Sequence, residues 1–202
     1  MPAYTGTKWE KLAGETRPVV TWSFGEFNFS ELAQQYGGYK DFDSSIASNL
    51  RTFITQAFAA WEAVANIDFV QVADAASVDI RLGNRFIDGT PGPGQSSTLA
   101  ITQHWFSGGW TTKAEIYFDV DSYDDGGKGF YSTAVHEIGH ALGLDHSSDQ
   151  SAVMYFMLNS QNEAGVLRAD DILGAQTLYG AAAGGGGGSA QTVAAVKTAY
   201  YG

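Results

Sequence analysis

The segment from His136 to His146, His-Glu-Ile-Gly-His-Ala-Leu-Gly-Leu-Asp-His, constrains this chain of 202 residues more than any other. On a helix, His136 and His140 lie one turn apart on the same face, so their ring nitrogens can converge on one cation. Gly143 allows the chain to leave the helix in a conformation that a β-carbon would penalise, and this returns His146 as a third ligand. Three neutral nitrogen ligands leave one tetrahedral position for water. The segment therefore predicts a catalytic rather than a structural zinc site.

Glu137 lies beside the two helical histidines, where its carboxylate can reach a water at the metal without binding the metal itself. A carboxylate in that position can serve as the general base that activates the water. The alternative is a helix whose histidines are ordinary surface or core groups. Three of the four histidines in the chain lie in this one segment, which favours the metal site.

The full pattern H-E-x-x-H-x-x-G-x-x-H is the metzincin signature, and residues 6–180 resemble a metzincin zinc endopeptidase. The resemblance implies a Met-turn beneath the metal, and Met154 matches it. The presence of a serine, Ser147, directly after the third histidine resembles the matrixins. Three N-terminal segments instead resemble the start of a bacterial serralysin domain: Gly6–Trp9, Val19–Phe24 and Ala65–Phe69. We therefore expect a bacterial-type enzyme between these two groups.

Two features differ from the matrix metalloproteinases. Their second, structural zinc is held by several histidines, whereas residues 82–117 contain only His104, which we interpret as an exposed or hydrogen-bonded histidine. The chain also has no cysteine, so the propeptide cysteine switch of latent matrixins is not expected. The calcium-binding glycine-aspartate repeats of serralysins are not found either.

Composition limits the partners. The net charge of −11 argues against nucleic acid and anionic membranes, because phosphate binding needs clustered Lys and Arg. No apolar run is long enough to cross a bilayer, and no apolar signal segment starts the chain. The resemblance implies a secreted, extracellular enzyme that acts on protein or peptide substrates, and nothing in the sequence calls for more than a monomer.

The periodicity predicts a strongly amphipathic helix over residues 42–65, capped by Asp43 or Ser44, and a last helix over 169–178. The active-site helix between them is expected to be capped by Ser132 or Thr133. Five strands are predicted, over residues 19–24, 67–72, 78–82, 97–103 and 114–118.

The resemblance implies an α+β, zincin-like catalytic domain. It has a twisted five-stranded mixed sheet, three helices and a cleft between the sheet edge and the zinc helix. We assign residues 1–180 to this domain and 181–202 to a Gly-rich linker and tail.

The resemblance also implies a substrate site. Thr98, Leu99 and Ala100 resemble the strand at the upper rim of the cleft, along which a substrate adds as a further strand. Tyr155 and Phe156 would help to form the pocket for the residue after the cut. We therefore expect a hydrophobic residue at that position of the substrate.

Four aspartates precede the active-site helix: Asp119, Asp121, Asp124 and Asp125. Closely spaced carboxylates suit calcium, and matrixins bind calcium near a similar segment. A solvated acidic loop is the alternative, and the sequence leaves both open.

Two alternatives to an active peptidase share the same fold. One is a non-catalytic zinc-binding module, whose usual mark would be loss of the glutamate, but Glu137 is present. The other is a self-inhibited enzyme in which residues 1–18 or 181–202 occupy the cleft.

Overall fold

The computed structural model describes residues 1–29, 41–88, 97–123 and 129–183. These residues contain three helices, α1 (Ser48–Glu62), α2 (Phe130–Ala141) and α3 (Ala169–Tyr179). The strands are β1 (Ala3–Tyr4), β2 (Val19–Phe24), β3 (Asp68–Gln71), β4 (Ile80–Arg85), β5 (Ala100–Ser107), β6 (Trp110–Asp119) and β7 (Leu144–Asp145). The predicted α+β fold, with a five-stranded mixed sheet and three helices, is confirmed. No helix in the described ranges is long and apolar enough to span a bilayer.

The main sheet has the strand order β3-β2-β4-β6-β5. The first four strands are parallel, whereas β5 pairs with β6 in the antiparallel direction and forms one edge of the sheet. Gly108 and Gly109 join β5 to β6, both with positive φ angles, which glycine adopts at no steric cost. Strand β5 contacts α2, so this edge of the sheet lies beside the helix that carries His136 and His140.

The hydrophobic core lies between the sheet and the helices. The predicted apolar stripe of α1 is buried there, with Trp61 fully enclosed. The Trp61 indole N–H donates to the backbone oxygen of Val135 in α2 over 2.9 Å, and Phe58 stacks on Trp22 of β2 at 4.5 Å. These contacts fix α2 against α1 and the sheet.

The predicted start of α1 is wrong. The helix begins at Ser48, and Ala47 at the N-cap makes no side-chain hydrogen bond. Asp43, one of the expected caps, instead accepts a hydrogen bond from the Phe86 amide over 2.7 Å, and Ser44 pairs with Asn84 of β4. Backbone pairing with β4 therefore keeps these residues out of the helix, although their apolar neighbours continue the helical spacing.

The predicted caps of α2 are also wrong. The helix begins at Phe130, after Gly129, which has a φ angle of 72°. Ser132 and Thr133 lie inside the first turn, where the Thr133 hydroxyl donates to the Gly129 carbonyl and the Ser132 hydroxyl to that of Asn162. Hydroxyl side chains are typical of both caps and first turns, so the residue type alone did not separate the two.

A charged cluster that the sequence did not predict is buried on the face of the sheet opposite the helices. Arg81 of β4 pairs with Asp74 over 2.7 Å and with Glu115 of β6 over 3.1 Å, and Lys113 lies 3.7 Å from Glu115. Tyr117 donates its hydroxyl hydrogen to Glu115 over 2.7 Å. The side chains of the charged members are at most 1% exposed, so each charge is stabilised by its ion-pair partners rather than by water.

Candidate active site

The structure brings together the three predicted metal ligands. His136 and His140 project from α2, and His146 follows β7. One ring nitrogen from each lies within 4.8 Å of the others, so the three side chains could hold one metal ion. The Nε2 atoms of His136 and His140 are 3.0 Å apart. Two nitrogens bound at ~2.0–2.1 Å to a tetrahedral zinc would be separated by about 3.3 Å, so the spacing suits one zinc ion.

Backbone carbonyls set the orientation of both helical histidines. The Nδ1 atom of His136 lies 2.7 Å from the carbonyl oxygen of Val153, and that of His140 lies 2.9 Å from the carbonyl oxygen of Leu144. A carbonyl oxygen can only accept, so each Nδ1 carries the proton and each Nε2 keeps its lone pair for a metal. Burial lowers the pKa of both histidines to about 4, which keeps the rings neutral at physiological pH. The donor set therefore fits zinc.

Gly143 forms the turn that leads from α2 to the third histidine. Its φ angle is 98°, and a β-carbon there would collide with the backbone oxygen of Thr7. The predicted need for glycine therefore has two causes, the backbone conformation and the close approach of the N-terminal segment. The second cause could not be read from the sequence.

The N-terminal segment of residues 3–9, which we call the N-terminal arm, binds this turn. Strand β1 of the arm pairs with β7 in the antiparallel direction. Thr5 donates its amide hydrogen to the Gly143 carbonyl over 2.9 Å, and Trp9 donates its indole hydrogen to the Ala141 carbonyl over 2.9 Å. Tyr179 of α3 donates its hydroxyl hydrogen to the Leu142 carbonyl over 2.6 Å. The sequence did not reveal these contacts, because they join parts of the chain that no local pattern connects.

Met154 packs directly beneath α2. Its side chain is buried, and its sulfur takes the space that a β-carbon at Gly139, between the two helical histidines, would need. The carboxylate of Asp171 accepts hydrogen bonds from the amides of Val153 and Met154, each over 3.0 Å. Asp171 in α3 thus holds the turn whose Val153 carbonyl orients His136, another role that the sequence did not reveal.

Glu137 is 5% exposed and lies on α2 next to the histidines. Burial raises the pKa of its carboxyl group, while His140 and a hydrogen bond from Thr102 oppose that rise. The Thr102 hydroxyl of β5 is 2.6 Å from Glu137 Oε2 and 3.0 Å from the Glu137 backbone oxygen. Thr102 was not among the predicted site residues, since only the packing of β5 on α2 brings it there.

A cleft of about 730 Å³ contains the three histidines and Glu137. On one side it is lined by residues 97–102 and 104, which include the predicted Thr98, Leu99 and Ala100. The cleft is also lined by Tyr155, Phe156, Met157 and Leu158, which include the predicted Tyr155 and Phe156. His104 is half-buried at this cleft, and burial lowers its pKa.

The calcium site stays a prediction. Asp119 is buried, and its carboxylate accepts hydrogen bonds from the Ile87 amide over 3.0 Å and the Ser122 hydroxyl over 2.7 Å. Asp121 is half-buried, whereas Asp124 and Asp125 lie outside the described residues.

Comparison with known proteins identifies the family. The matrixin family model matches residues 35–180. The metalloendoproteinase 4-MMP of Arabidopsis thaliana is 31% identical over 193 residues, which cover 89% of this chain and 52% of that protein. The hatching enzyme of Paracentrotus lividus is 31% identical over 165 residues, covering 80% of this chain and 25% of the enzyme. Matrilysin of Rattus norvegicus is 41% identical over 98 residues, covering 46% of this chain and 36% of matrilysin.

The chain thus spans about half or less of the length of these relatives. The bacterial type expected from the N-terminal segments stays a prediction. The family model covers most of the chain, including all three histidines and Glu137. The chain belongs to the matrixin family of zinc-dependent metalloendopeptidases.

Proposed function

We propose that this chain is an endopeptidase that hydrolyses peptide bonds with zinc on His136, His140 and His146 and with Glu137 as the general base. The observation that carries the proposal is the convergence of three imidazole nitrogens and one buried carboxylate in a single cleft. Zinc bound there would supply a water of lowered pKa and a Lewis acid for the developing oxyanion. Glu137 takes the proton of the attacking water and delivers it to the amine of the leaving peptide.

The substrate is expected to bind along β5. This strand is an edge of the sheet and lines the cleft from Ala100 to Thr102, so the outer backbone groups of these residues can pair with an extended peptide. A peptide bound in this way would pass over His136 and His140, which lie on the neighbouring helix. Main-chain pairing accepts many sequences, which suits an endopeptidase.

Selectivity is expected at the residue after the scissile bond. Phe156, Met157 and Leu158 also line the cleft and are 58%, 50% and 38% exposed. Burial of a Leu or Phe side chain against such a wall contributes about 1.5–3 kcal/mol. We therefore expect kcat/KM for an apolar residue at this position to exceed that for a charged residue by at least about tenfold.

The alternatives receive less support. Of residues 1–29, only Thr5 lines the cleft, and strand β1 pairs with β7, so residues 1–18 leave the cleft open. Residues 184–202 lie outside the described ranges. A non-catalytic module would not require the buried glutamate. An extracellular location agrees with relatives named matrix metalloproteinase and stays part of the proposal.

The test combines metal analysis with cleavage of a quenched fluorescent peptide library. We expect one zinc per chain, and a fall in kcat of at least about a hundredfold in Glu137→Gln with zinc still bound. Glu163→Gln, which changes an exposed carboxylate outside the cleft, is the matched control and should cleave like the wild type. Zinc without turnover in the wild type would favour the non-catalytic module, and absence of zinc binding would refute the proposal.

A further inference from the structure

Thr102 and Glu137 are joined by a short hydrogen bond between two different elements. The Thr102 hydroxyl on β5 donates to Oε2 of Glu137 on α2 over 2.6 Å. We propose that Thr102 is a positioning residue, which holds the Glu137 carboxylate in the orientation that proton transfer in the cleft requires. This inference rests on the proposed function, because it assigns a role to Thr102 through the general base.

The Glu137 side chain needs an anchor to keep one orientation. A glutamate has three rotatable side-chain bonds and populates several rotamers unless its carboxylate is held. A hydrogen bond from a hydroxyl to an ionised carboxylate is short and strong, in keeping with the 2.6 Å distance. With Oε2 held by Thr102, the carboxylate is fixed at its outer end as well as at the helix backbone.

The Glu137 carboxylate is held by the Thr102 hydroxyl and also receives a hydrogen bond from the Thr102 backbone. Glu137 is 5% exposed, so solvent reaches it only from the cleft. Loss of the Thr102 hydroxyl would remove the short side-chain bond to Oε2 in a buried place and leave the carboxylate with fewer hydrogen bonds to fix its orientation. The position of the general base relative to the scissile bond would then be less well defined.

The location of Thr102 in the fold explains why its hydrogen bond to Glu137 should affect the rate of turnover. Thr102 lies on β5, the strand with which we expect the substrate backbone to pair, two residues after Ala100. One side chain therefore links the substrate-binding strand to the carboxylate of Glu137. Since misplacement of reacting groups by about 1 Å can cost about a hundredfold in rate, this link bears directly on turnover.

A purely structural role is the competing explanation. The Thr102 hydroxyl also lies 3.0 Å from the backbone oxygen of Glu137, so it could simply tie β5 to α2. In that case, its loss would lower stability and disturb substrate binding and zinc binding along with turnover. A positioning role predicts a selective loss of kcat.

The experiment compares three variants of the zinc-loaded full chain. Thr102→Val keeps the shape but removes the hydroxyl, and Thr102→Ser keeps the hydroxyl. Thr112→Val, the matched control, removes an exposed hydroxyl that donates to the Trp105 carbonyl over 3.2 Å on the same hairpin, away from the cleft. We expect kcat to fall roughly tenfold in Thr102→Val with KM within about twofold, and Thr102→Ser to recover most of the loss. Thr112→Val should match the wild type.

Two further measurements separate positioning from structure. Zinc affinity, measured by competition with a chromophoric chelator, should stay within about twofold of wild type in Thr102→Val, because Glu137 is not a ligand. In the Glu137→Gln background, Thr102→Val should cause little additional loss of kcat, since the group that it positions is gone. If Thr102→Val lowers the unfolding temperature appreciably, Thr102→Ala, which puts no atom at the position of the hydroxyl, replaces it in both assays.

The outcomes distinguish this inference from the proposed function. An active wild type that loses activity in Glu137→Gln, together with unchanged kcat in Thr102→Val, would overturn the positioning role and leave the proposed function intact. Parallel losses of zinc affinity, KM and kcat would overturn it in favour of a structural tie. A wild type that binds zinc but cleaves no peptide would remove the proposed function and this inference together.

Discussion

The indole N–H of Trp9 donates a hydrogen bond to the backbone carbonyl oxygen of Ala141 over 2.9 Å. Together with the bonds from Tyr179 to Leu142 and from Thr5 to Gly143, it supplies donors to three successive carbonyls at the end of α2 and in the turn that follows. Helix ends leave such carbonyls without partners inside the helix. The turn that delivers His146 is therefore held by the N-terminal arm and by α3 as well as by its own residues.

Loss of the Tyr179 hydroxyl should lower the affinity of the site for zinc. The Tyr179 hydroxyl donates to the Leu142 carbonyl over 2.6 Å and accepts from the Trp9 amide over 3.1 Å, both in the interior. We expect Tyr179→Phe to lower the free energy of unfolding by about 2 kcal/mol and to lower zinc affinity. Chelator competition and chemical denaturation measure the two effects. Tyr4 is an exposed tyrosine on β1, and Tyr4→Phe is the control. Equal zinc affinity in Tyr179→Phe and wild type would contradict the prediction.

The two reasons for glycine at position 143 can be separated experimentally. Gly14 has a φ angle of 91° and open space where a β-carbon would lie, whereas Gly143 has both a positive φ and the Thr7 oxygen in the way. We expect Gly14→Ala to cost about 1 kcal/mol through backbone strain alone, with zinc affinity unchanged. Gly143→Ala should cost more and reduce zinc affinity, because the turn must move away from Thr7. Thermal unfolding of the zinc-free and zinc-loaded forms would show this, and equal effects of the two substitutions would refute it.

The buried charge cluster should give the fold a pH-dependent contribution through Asp74. Burial tends to raise the pKa of Asp74, but hydrogen bonds from Arg81, from the amides of Phe27 and Glu26 and from Ser23 outweigh burial and lower it. Because the folded pKa lies below the unfolded value, ionised Asp74 stabilises the fold above the unfolded pKa. This stability is lost as the pH falls through the folded pKa.

Asp74→Asn should therefore reduce the free energy of unfolding by about 3 kcal/mol at neutral pH, since it leaves Arg81 with one fewer buried counter-charge. The difference from the wild type should shrink in acid, where Asp74 itself becomes neutral. Denaturation curves across the acidic range test this, with the exposed Asp41→Asn as control. A difference that stays constant with pH would show that charge is not its origin.

Met154 should stabilise the site by volume rather than by chemistry. Its sulfur fills the space over Gly139, and the side chain is 2% exposed. We expect Met154→Ala to cost about 2–5 kcal/mol because it opens a cavity beneath α2. Met154→Leu, which keeps the volume, should cost less than about 1.5 kcal/mol. Denaturation of the zinc-free protein is the relevant measurement, and a large loss in the Leu variant would point to a role for the sulfur instead.

The histidine cluster, the neighbouring glutamate and most of the helices and strands could be predicted from local patterns of residues, and the class of fold followed from the resemblance to metzincins. His136, His140 and Glu137 are close in sequence on one helix, so the helical period alone brings them together, and Gly143 indicates the turn that returns His146. The strand Val19–Phe24 and the helix that begins at Ala169 follow in the same way. The same residue spacing gives the same local geometry in any helix or strand, so these features can be predicted from a single sequence.

The residues that support this cluster became visible only in the folded chain. Thr102, Trp9, Asp171 and Tyr179 reach the site through a sheet edge, an N-terminal segment and a distant helix, and no spacing in the sequence records these contacts. The same reason explains the wrong caps of α1, because pairing of residues 43–44 with β4 outweighed their local preference. Local propensities differ by a few tenths of a kcal/mol up to about 1 kcal/mol, whereas backbone pairing and burial of a whole segment contribute more. Long-range packing therefore decided which residues support the site, whereas the local sequence determined the histidines and the glutamate of the site itself.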